Sequence, residues 1–361
     1  MNDIELKTIA IDGKARLNEV TVNGKQFQTP LFMPVATRGA LKSLPFNYLE
    51  HTDIILANTY HLFLRPGLDV IQEFDGLHKF IGWNKVILTD SGGFQGWSIP
   101  NRFNDDGIEF KNIYDGSKFF MDPKLSMDIQ QTLNSDIAMI LDSLIDINKE
   151  YDEQLNAINT TQQWANIARN YHTNNNQSLF GIVQGGKHKE LREKSATDMM
   201  TIDFDGYAIG GLAIGETPEE RKEIVNFTVE MLPKDKLRYV MGLGDIEGML
   251  ELIELGVDIF DCVWPARLAR HGKIINKGKF LNLKNSKYKK DTDPLVVGCR
   301  CFVCLNFSKA YLRHLLTNEP TSAWFYLTLH NIIQTENILN EVKKSILNSE
   351  FDKYKESILN G

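Results

Sequence analysis

Two aspartates carry the chemistry this sequence can offer. Asp261, in GVDIFDCVWPAR (256–267), stands near the carboxyl end of a short apolar strand that stops at Trp264-Pro265, because proline cannot continue a central strand. A bare carboxylate in such a place is costly unless it has a task or a partner. Asp90 occupies an equivalent place in VILTDSGGFQ (86–95). If the fold brings their strands together, the two make a nucleophile and an acid/base pair, and the residues alone leave open which plays which part.

A second kind of chemistry is separate. Cys299, Cys301 and Cys304 give C-x-C-x2-C in VVGCRCFVCLNF. Three soft thiolates at this spacing suit tetrahedral zinc, which needs one further ligand. His330, in YLTLHNII on a helix expected over 323–348, is the best placed; His314 competes from a more basic helix. With no position left for water, the site is expected to be structural. Three cysteines within six residues are too close for independent bridges, so no disulfide framework is expected. The fourth, Cys262 beside Asp261, reads as a packing residue.

The elements that must position these groups follow from the apolar pattern. Strand-like runs recur at 31–35, 53–59, 85–91, 136–142, 179–185, 206–211, 238–244 and 258–263. Most are near-continuous in Ile, Val, Leu and Met, as parallel strands buried on both faces should be. Intervals such as 152–172 and 217–232 read as helices. Eight strands with helical crossovers predict a (β/α)8 barrel. A doubly wound sheet is the alternative, but no strand is followed by a G-x-G-x-x-G turn. Asp12-Gly13 and Asn23-Gly24 mark hairpins within an amino-terminal β region over 1–30, and 92–122 reads as irregular. The expected organisation is a single catalytic domain, with the barrel over 31–270 plus carboxyl-terminal helices and a zinc subdomain over 271–335. In a barrel, active residues lie at strand carboxyl ends. Asn58, Asp90, Ser91, Asp142, Gln184, Gly210-Gly211, Gly242 and Asp261 all do. One such Asp is ordinarily a loop cap; three carboxylates and an amide at one end are not.

Composition sets the class. The chain has 361 residues, 42% apolar and 24% charged, ordinary for a globular protein. Its first residues lack a signal-peptide core and no run reaches membrane-spanning length, which predicts a cytoplasmic protein. The net charge of −7 hides a basic block: residues 267–313 hold 12 Lys/Arg against 2 Asp/Glu. Such a block in an acidic chain is a landing surface for a polyanion.

Taken together, the motifs resemble the tRNA-guanine transglycosylases of the queuine/preQ1 type. The resemblance rests on FMPVATRG (32–39), NTYHLFLRPG (58–67), LTDSGGFQ (88–95), LFGIVQGG (179–186), DGYAIGGLAIGE (205–216), RYVMGLG (238–244), FDCVWPAR (260–267), the cysteine cluster and AYLRHLL (310–316). It implies a barrel enzyme that replaces guanine at the tRNA wobble position by a 7-deazaguanine, in queuosine modification. By resemblance Asp261 is the nucleophile and Asp90 the general acid/base. Asp90, Ser91, Gly92, Gly93, Phe94, Asp142, Gln184, Gly211, Leu212 and Met241 form the base site, with Phe94 as its stacking face. Gly242, Leu243, Gly244, Asp245, Ile246, Glu247 and Gly248, with Ala266, Arg267, Leu268, Ala269 and Arg270, contact RNA. Cys299, Cys301, Cys304 and His330 hold one zinc per chain.

The chemistry agrees. Base exchange with retention needs two displacements at the anomeric carbon. One carboxylate, Asp142, can accept the N1–H and exocyclic amine of guanine side by side, while the Gln184 amide and the Gly211 N–H donate to O6. Asn58 is expected to steady Asp261. The resemblance also implies a homodimer and tRNAs for Asp, Asn, His and Tyr, with G-U-N anticodons. Ile214 matches the branched residue of the bacterial preQ1 pattern, where the queuine pattern has glycine, and predicts preQ1. Departures lie at Ser143-Leu144, at Gly96-Trp97 and at Ala266, all near the base pocket or the RNA loop. Rival readings are a queuine-using member, an archaeosine-type exchanger and a non-catalytic tRNA-binding paralogue. The last would lack Asp90 and Asp261.

Overall fold

In the computed structural model, which describes residues 4–98 and 101–360, the eight apolar runs pair side by side and the last closes on the first. The strands are β1 (Leu31–Ala36), β2 (Ile54–Ala57), β3 (Val86–Thr89), β4 (Ile137–Met139), β5 (Ser178–Val183), β6 (Gly206–Ile209), β7 (Leu237–Val240) and β8 (Ile259–Cys262). All eight pairings are parallel. From β2 to β7 every strand residue is buried, which is why these runs show no polar alternation. Closure sets Asp261 of β8 opposite Met33 of β1. Positions 1–3, 99–100 and 361, which fall in the expected amino-terminal region, the 92–122 stretch and the carboxyl end, lie outside the described residues.

Helices return the chain between strands. The two read from the sequence run over Tyr151–Tyr171 and Pro218–Met231. The second begins where its residues dictate: Thr217 and Glu220 cap each other's backbone N–H groups, and Pro218 needs no donor in the first turn. Between β3 and β4 lies an antiparallel sheet of Asn101–Asn104, Gly107–Lys111 and Lys118–Met121, in the stretch whose sequence pattern is irregular.

The amino ends of the barrel strands are closed by a three-stranded sheet, Glu5–Asp12, Ala15–Val22 and Lys25–Thr29. Asn23 and Gly24 both have positive φ, as a two-residue hairpin turn demands. Carboxylates at this end are pinned by cations. Asp258 accepts from Arg16 Nε at 2.8 Å, Asn18 Nδ2 at 2.9 Å and Arg238 N at 2.8 Å. Asp136 meets Lys25 Nζ at 2.7 Å and His78 Nε2 at 2.9 Å. Removing one partner of a buried pair such as Arg16–Asp258 costs about 3–5 kcal/mol.

After β8 the chain forms a short helix, Trp264–Arg270, a hairpin of Lys273–Asn276 and Lys279–Asn282, and the cysteine loop. A 28-residue helix, Pro320–Leu347, then packs on β1 and on that hairpin. Its buried Asn331 receives Ile275 N at 2.9 Å and donates to Pro265 O at 3.1 Å and Lys273 O at 3.0 Å. Among the described residues no helix is long and apolar enough to cross a membrane.

Candidate active site and metal centre

The carboxyl ends of the strands gather Asp90, Asp142 and Asp261. Asp142 and Asp261 are buried and Asp90 is half-buried, and none makes an ion pair among the described residues. This is the reverse of the cation-pinned carboxylates at the opposite end.

Asp90 follows β3, its N–H donating to Ala57 O at 3.1 Å. Its carboxylate receives Thr59 N at 2.8 Å on Oδ1 and the Asn58 amide on Oδ2. Asn58 cannot turn its amide over, because its Oδ1 caps the helix Thr59–Leu64 by accepting from His61 N at 3.0 Å. The sequence places Asn58 as a support for Asp261; it steadies Asp90 instead, its own strand β2 being the neighbour of β3. Burial pushes the Asp90 carboxyl up to about 7, helped by the nearby Asp261 charge and opposed by the Thr59 and Asn58 donors.

Asp261 takes both its hydrogen bonds on Oδ1, from Tyr239 OH at 2.5 Å and Gly242 N at 2.8 Å. Burial raises its pKa, and these two donors hold the rise down. The same pairing, with burial, drives the Tyr239 hydroxyl well above its ordinary value, so the phenol stays protonated and donates.

Asp142 completes the set. Its Oδ2 receives Gln184 Nε2 at 2.6 Å, and burial lifts its pKa to about 6 against that bond. The two fit because their neighbours are glycines. A Cβ on Gly93 would lie 2.2 Å from Asp142 Oδ1. At Gly211, whose φ of +69° already disfavours a side chain, a Cβ would lie 2.6 Å from Gln184 Oε1. Leu212 is buried beside it, Met241 is half-buried at the end of β7, and Phe94 is 51% exposed at the rim. Ser91 closes the turn beneath them, accepting from Gly93 N at 3.2 Å, and Gly92 spans it at φ +89°.

Two residues here escape a reading of the sequence. Tyr239 reaches Asp261 from the adjacent strand, a pairing that exists only once β7 and β8 lie side by side. Arg192, fully buried, donates to Val183 O at 3.0 Å, Gly210 O at 2.9 Å and Gly186 O at 3.0 Å, tying the ends of β5 and β6 together. A signal exists for it. On the helix Lys189–Ile202, Arg192 falls among the inward positions Leu191, Ser195, Ala196 and Met199.

The ligating atoms of Cys299, Cys301, Cys304 and His330 lie within 4.8 Å of one another. His330 Nε2 is bonded to Ile275 O at 3.0 Å, which turns Nδ1 toward Cys301 and Cys304 Sγ, each at 3.4 Å. Gln334 Nε2 supports Cys299 Sγ at 3.2 Å. A tetrahedron with metal–sulfur bonds of about 2.3 Å needs ligand atoms about 3.8 Å apart, so the donors and their spacing fit a metal such as zinc. The carbonyl on Nε2 is the kind of support that fixes a ligating imidazole. His314 points elsewhere: it is exposed and pairs with Asn318 on its own helix.

A family model described as queuine tRNA-ribosyltransferase matches residues 12–361. The chain belongs to that family. Curated relatives bearing the name "Queuine tRNA-ribosyltransferase" include one from Dictyoglomus turgidum, 42% identical over 353 residues, 96% of this chain and 91% of the relative. One from Thermotoga maritima is 43% identical over 350 residues, 96% of this chain and 95% of the relative. One from Bacillus subtilis is 41% identical over 347 residues, 95% and 91%.

In this family member the segments expected to meet RNA lie beside the acid pair. Of the loop after β7, Gly242 and Glu247 are exposed and Asp245 is half-buried, capping the helix Ile246–Ile253. Leu243, Gly244, Ile246 and Gly248 turn inward. On Trp264–Arg270, Arg267 is exposed, Ala266 and Arg270 are half-buried, and Leu268 and Ala269 pack on the core. A cavity of about 480 Å³ opens next to Cys262, with Val35, Val263, Arg38, Lys42 and Arg270 in its wall.

Proposed function

We propose that this chain is a tRNA-guanine transglycosylase that exchanges the wobble guanine of G-U-N tRNAs, those for Asp, Asn, His and Tyr, for preQ1. Family membership supports the activity. The observation that carries the mechanism is the unequal bonding of two carboxylates: Asp90, lifted to about 7, takes a donor on each oxygen, whereas Asp261 takes both donors on Oδ1 and keeps Oδ2 free.

Ionised Asp261 attacks the ribose anomeric carbon through Oδ2, the oxygen its hydrogen bonds leave free. The new C–O bond forms as the bond to guanine breaks, and Asp90 passes its proton to the leaving purine. Asp90 then takes a proton from the incoming base, whose nitrogen displaces Asp261 from the aspartyl-ribose, and configuration is retained. Gln184 has two N–H bonds: one holds Asp142 and the second is available to a purine O6, alongside Gly211 N–H. Asp142 accepts the N1–H and amine edge, and Phe94 stacks on the flipped base. Gly242, Glu247, Arg267 and Arg270 meet the anticodon loop.

Zinc on the cysteine–histidine set would join the cysteine loop to the long helix, and its closed ligand shell makes it structural. We further propose a cytoplasmic homodimer formed through the zinc region. Ile214 supports preQ1: half-buried against the barrel core just after Gly211, it occupies volume that the cyclopentenediol of queuine needs, and overpacking costs about 1–3 kcal/mol.

Radiolabelled guanine exchange into tRNA tests this function as a whole. Label should enter G-U-N tRNAs and no others. Asp261→Asn should abolish both exchange and trapping of a covalent tRNA adduct while the protein stays folded. Turnover like wild type in that variant would remove the nucleophile.

A further inference from the structure

The helix Gly93–Ser98 begins three residues after Asp90, and its two faces differ sharply. Gly93, Gln95 and Gly96 are buried, whereas Phe94 is 51% and Trp97 40% exposed. Residues three apart share one side of a helix, and the two rings lie 5.9 Å apart at 43°. Trp97 is the only tryptophan among the described residues that is exposed. The helix cannot rotate to hide it. A Cβ on Gly96 would lie 2.7 Å from Ile108 Cδ1 and 3.1 Å from Phe103 Cζ, so the inner side sits flush on the inserted sheet. At the other end Gly93 is pressed closer still to Asp142, 2.2 Å from a Cβ position to Oδ1.

We infer that Phe94 and Trp97 form a two-ring stacking platform, in which Trp97 receives the nucleobase adjacent to the exchanged guanosine. The inference rests on the functional reading above and adds to it a residue that the reading does not use. Two features argue for single-stranded RNA over a protein partner. The platform is continuous with the base site, since Phe94 stands at its rim. The same end of the barrel also carries Arg38, Lys42 and Arg270 around a cavity of about 480 Å³, cations suited to the flanking phosphates. Flipping one base leaves its neighbour without a stacking partner. An aromatic plane one helical turn further out, about 5 Å along the axis, replaces it. Every base has a π face, so the stack adds affinity without adding sequence preference.

The test uses an unmodified anticodon stem–loop carrying 2-aminopurine on the 5′ or the 3′ side of the exchanged guanosine. Binding to wild-type protein should quench one of the two probes. Trp97→Leu should abolish that quench and weaken RNA binding roughly 5- to 150-fold, the range of one base–aromatic stack. Trp97→Phe should restore most of both. The slope of affinity with salt should not change, because every cation that faces a phosphate is still in place, and KM for free guanine should stay at the wild-type value. Equal binding by Trp97→Leu and wild type, equal rescue by Leu and Phe, or a raised KM for guanine would each overturn the inference, the last by making Trp97 a packing residue. Wild-type protein that exchanges no guanine into tRNA would instead remove the functional reading itself.

Discussion

Asp90→Asn should remove activity, and its stability relative to wild type should depend on pH in a defined way. The carboxyl titrates near 3.8 in an unfolded chain and at about 7 in the folded one, where burial is the main cause. Below pH 4 it is neutral in both states. Between pH 4 and 7 the folded chain keeps a proton that the unfolded chain has released, so stability falls as pH rises. Above 7 the loss is complete. Three pH units at 1.36 kcal/mol each make about 4 kcal/mol. Asparagine has no charge to bury. The stability of Asp90→Asn relative to wild type, followed by urea unfolding from pH 4 to 8, should therefore climb by about 4 kcal/mol and level off above 7. Asp142 remains in both proteins and cancels from the difference; Asp261 cancels in part, since its charge contributes to the rise at Asp90, of which burial is the larger cause. Exchange activity should fall by about 10²–10⁴-fold, as for loss of a general acid/base. A difference in stability that stays flat across this range would show that Asp90 titrates normally, and the acid/base assignment would lose its physical basis.

Four further outcomes are expected. Tyr239→Phe removes one of the two hydrogen bonds to Asp261, and a bond to a charged group is worth about 1.5–3 kcal/mol; the acidic limb of kcat/KM should move up by about one to two pH units, and an unmoved limb would refute it. His330→Ala should lose bound zinc by elemental analysis and lower the melting temperature; zinc content equal to wild type would exclude His330 as a ligand. Arg267→Ala and Arg270→Ala should each weaken tRNA binding and make its logarithmic salt dependence shallower, by about one unit for each phosphate left without its cation; an unchanged slope would mean that neither arginine touches a phosphate. In competition with labelled guanine, preQ1 should bind more tightly than queuine, and Ile214→Gly should narrow that gap; tighter queuine binding by the wild-type protein would reverse the choice of base.

The barrel is legible in the sequence because burial on both faces leaves a mark in each strand separately: runs such as Ile54–Ala57 and Ser178–Val183 carry almost no polar interruption. The carboxyl-end residues are legible for the same local reason, each lying just past its run. What stays hidden depends on pairing between runs. Nothing near Tyr239 in sequence announces that its hydroxyl meets Asp261, 22 residues later. Asn58 goes to a different aspartate from the one expected because strand order, not spacing, decides its partner. The inserted sheet at 101–121 is unreadable because its short strands have mixed exposure and so no clear period. Arg192 is easily passed over although its helical position is informative, since a guanidinium on the inward face held by three carbonyls is uncommon.

His330 and Asn331 are consecutive residues of one buried helical turn. The first faces the cysteines, and the second grips Pro265 O and Lys273 O, on either side of the segment that carries Arg267 and Arg270. The metal site and the exit of β8 are thus bolted to a common bracket. Pro265 is four positions from Asp261, so slack introduced at the cysteines is transmitted through one side-chain amide to the strand that holds Asp261, the proposed nucleophile. A chelator should therefore loosen the alignment of the RNA with Asp261 before it unfolds the barrel, and the first sign of metal loss should be slower exchange by a protein that is still folded.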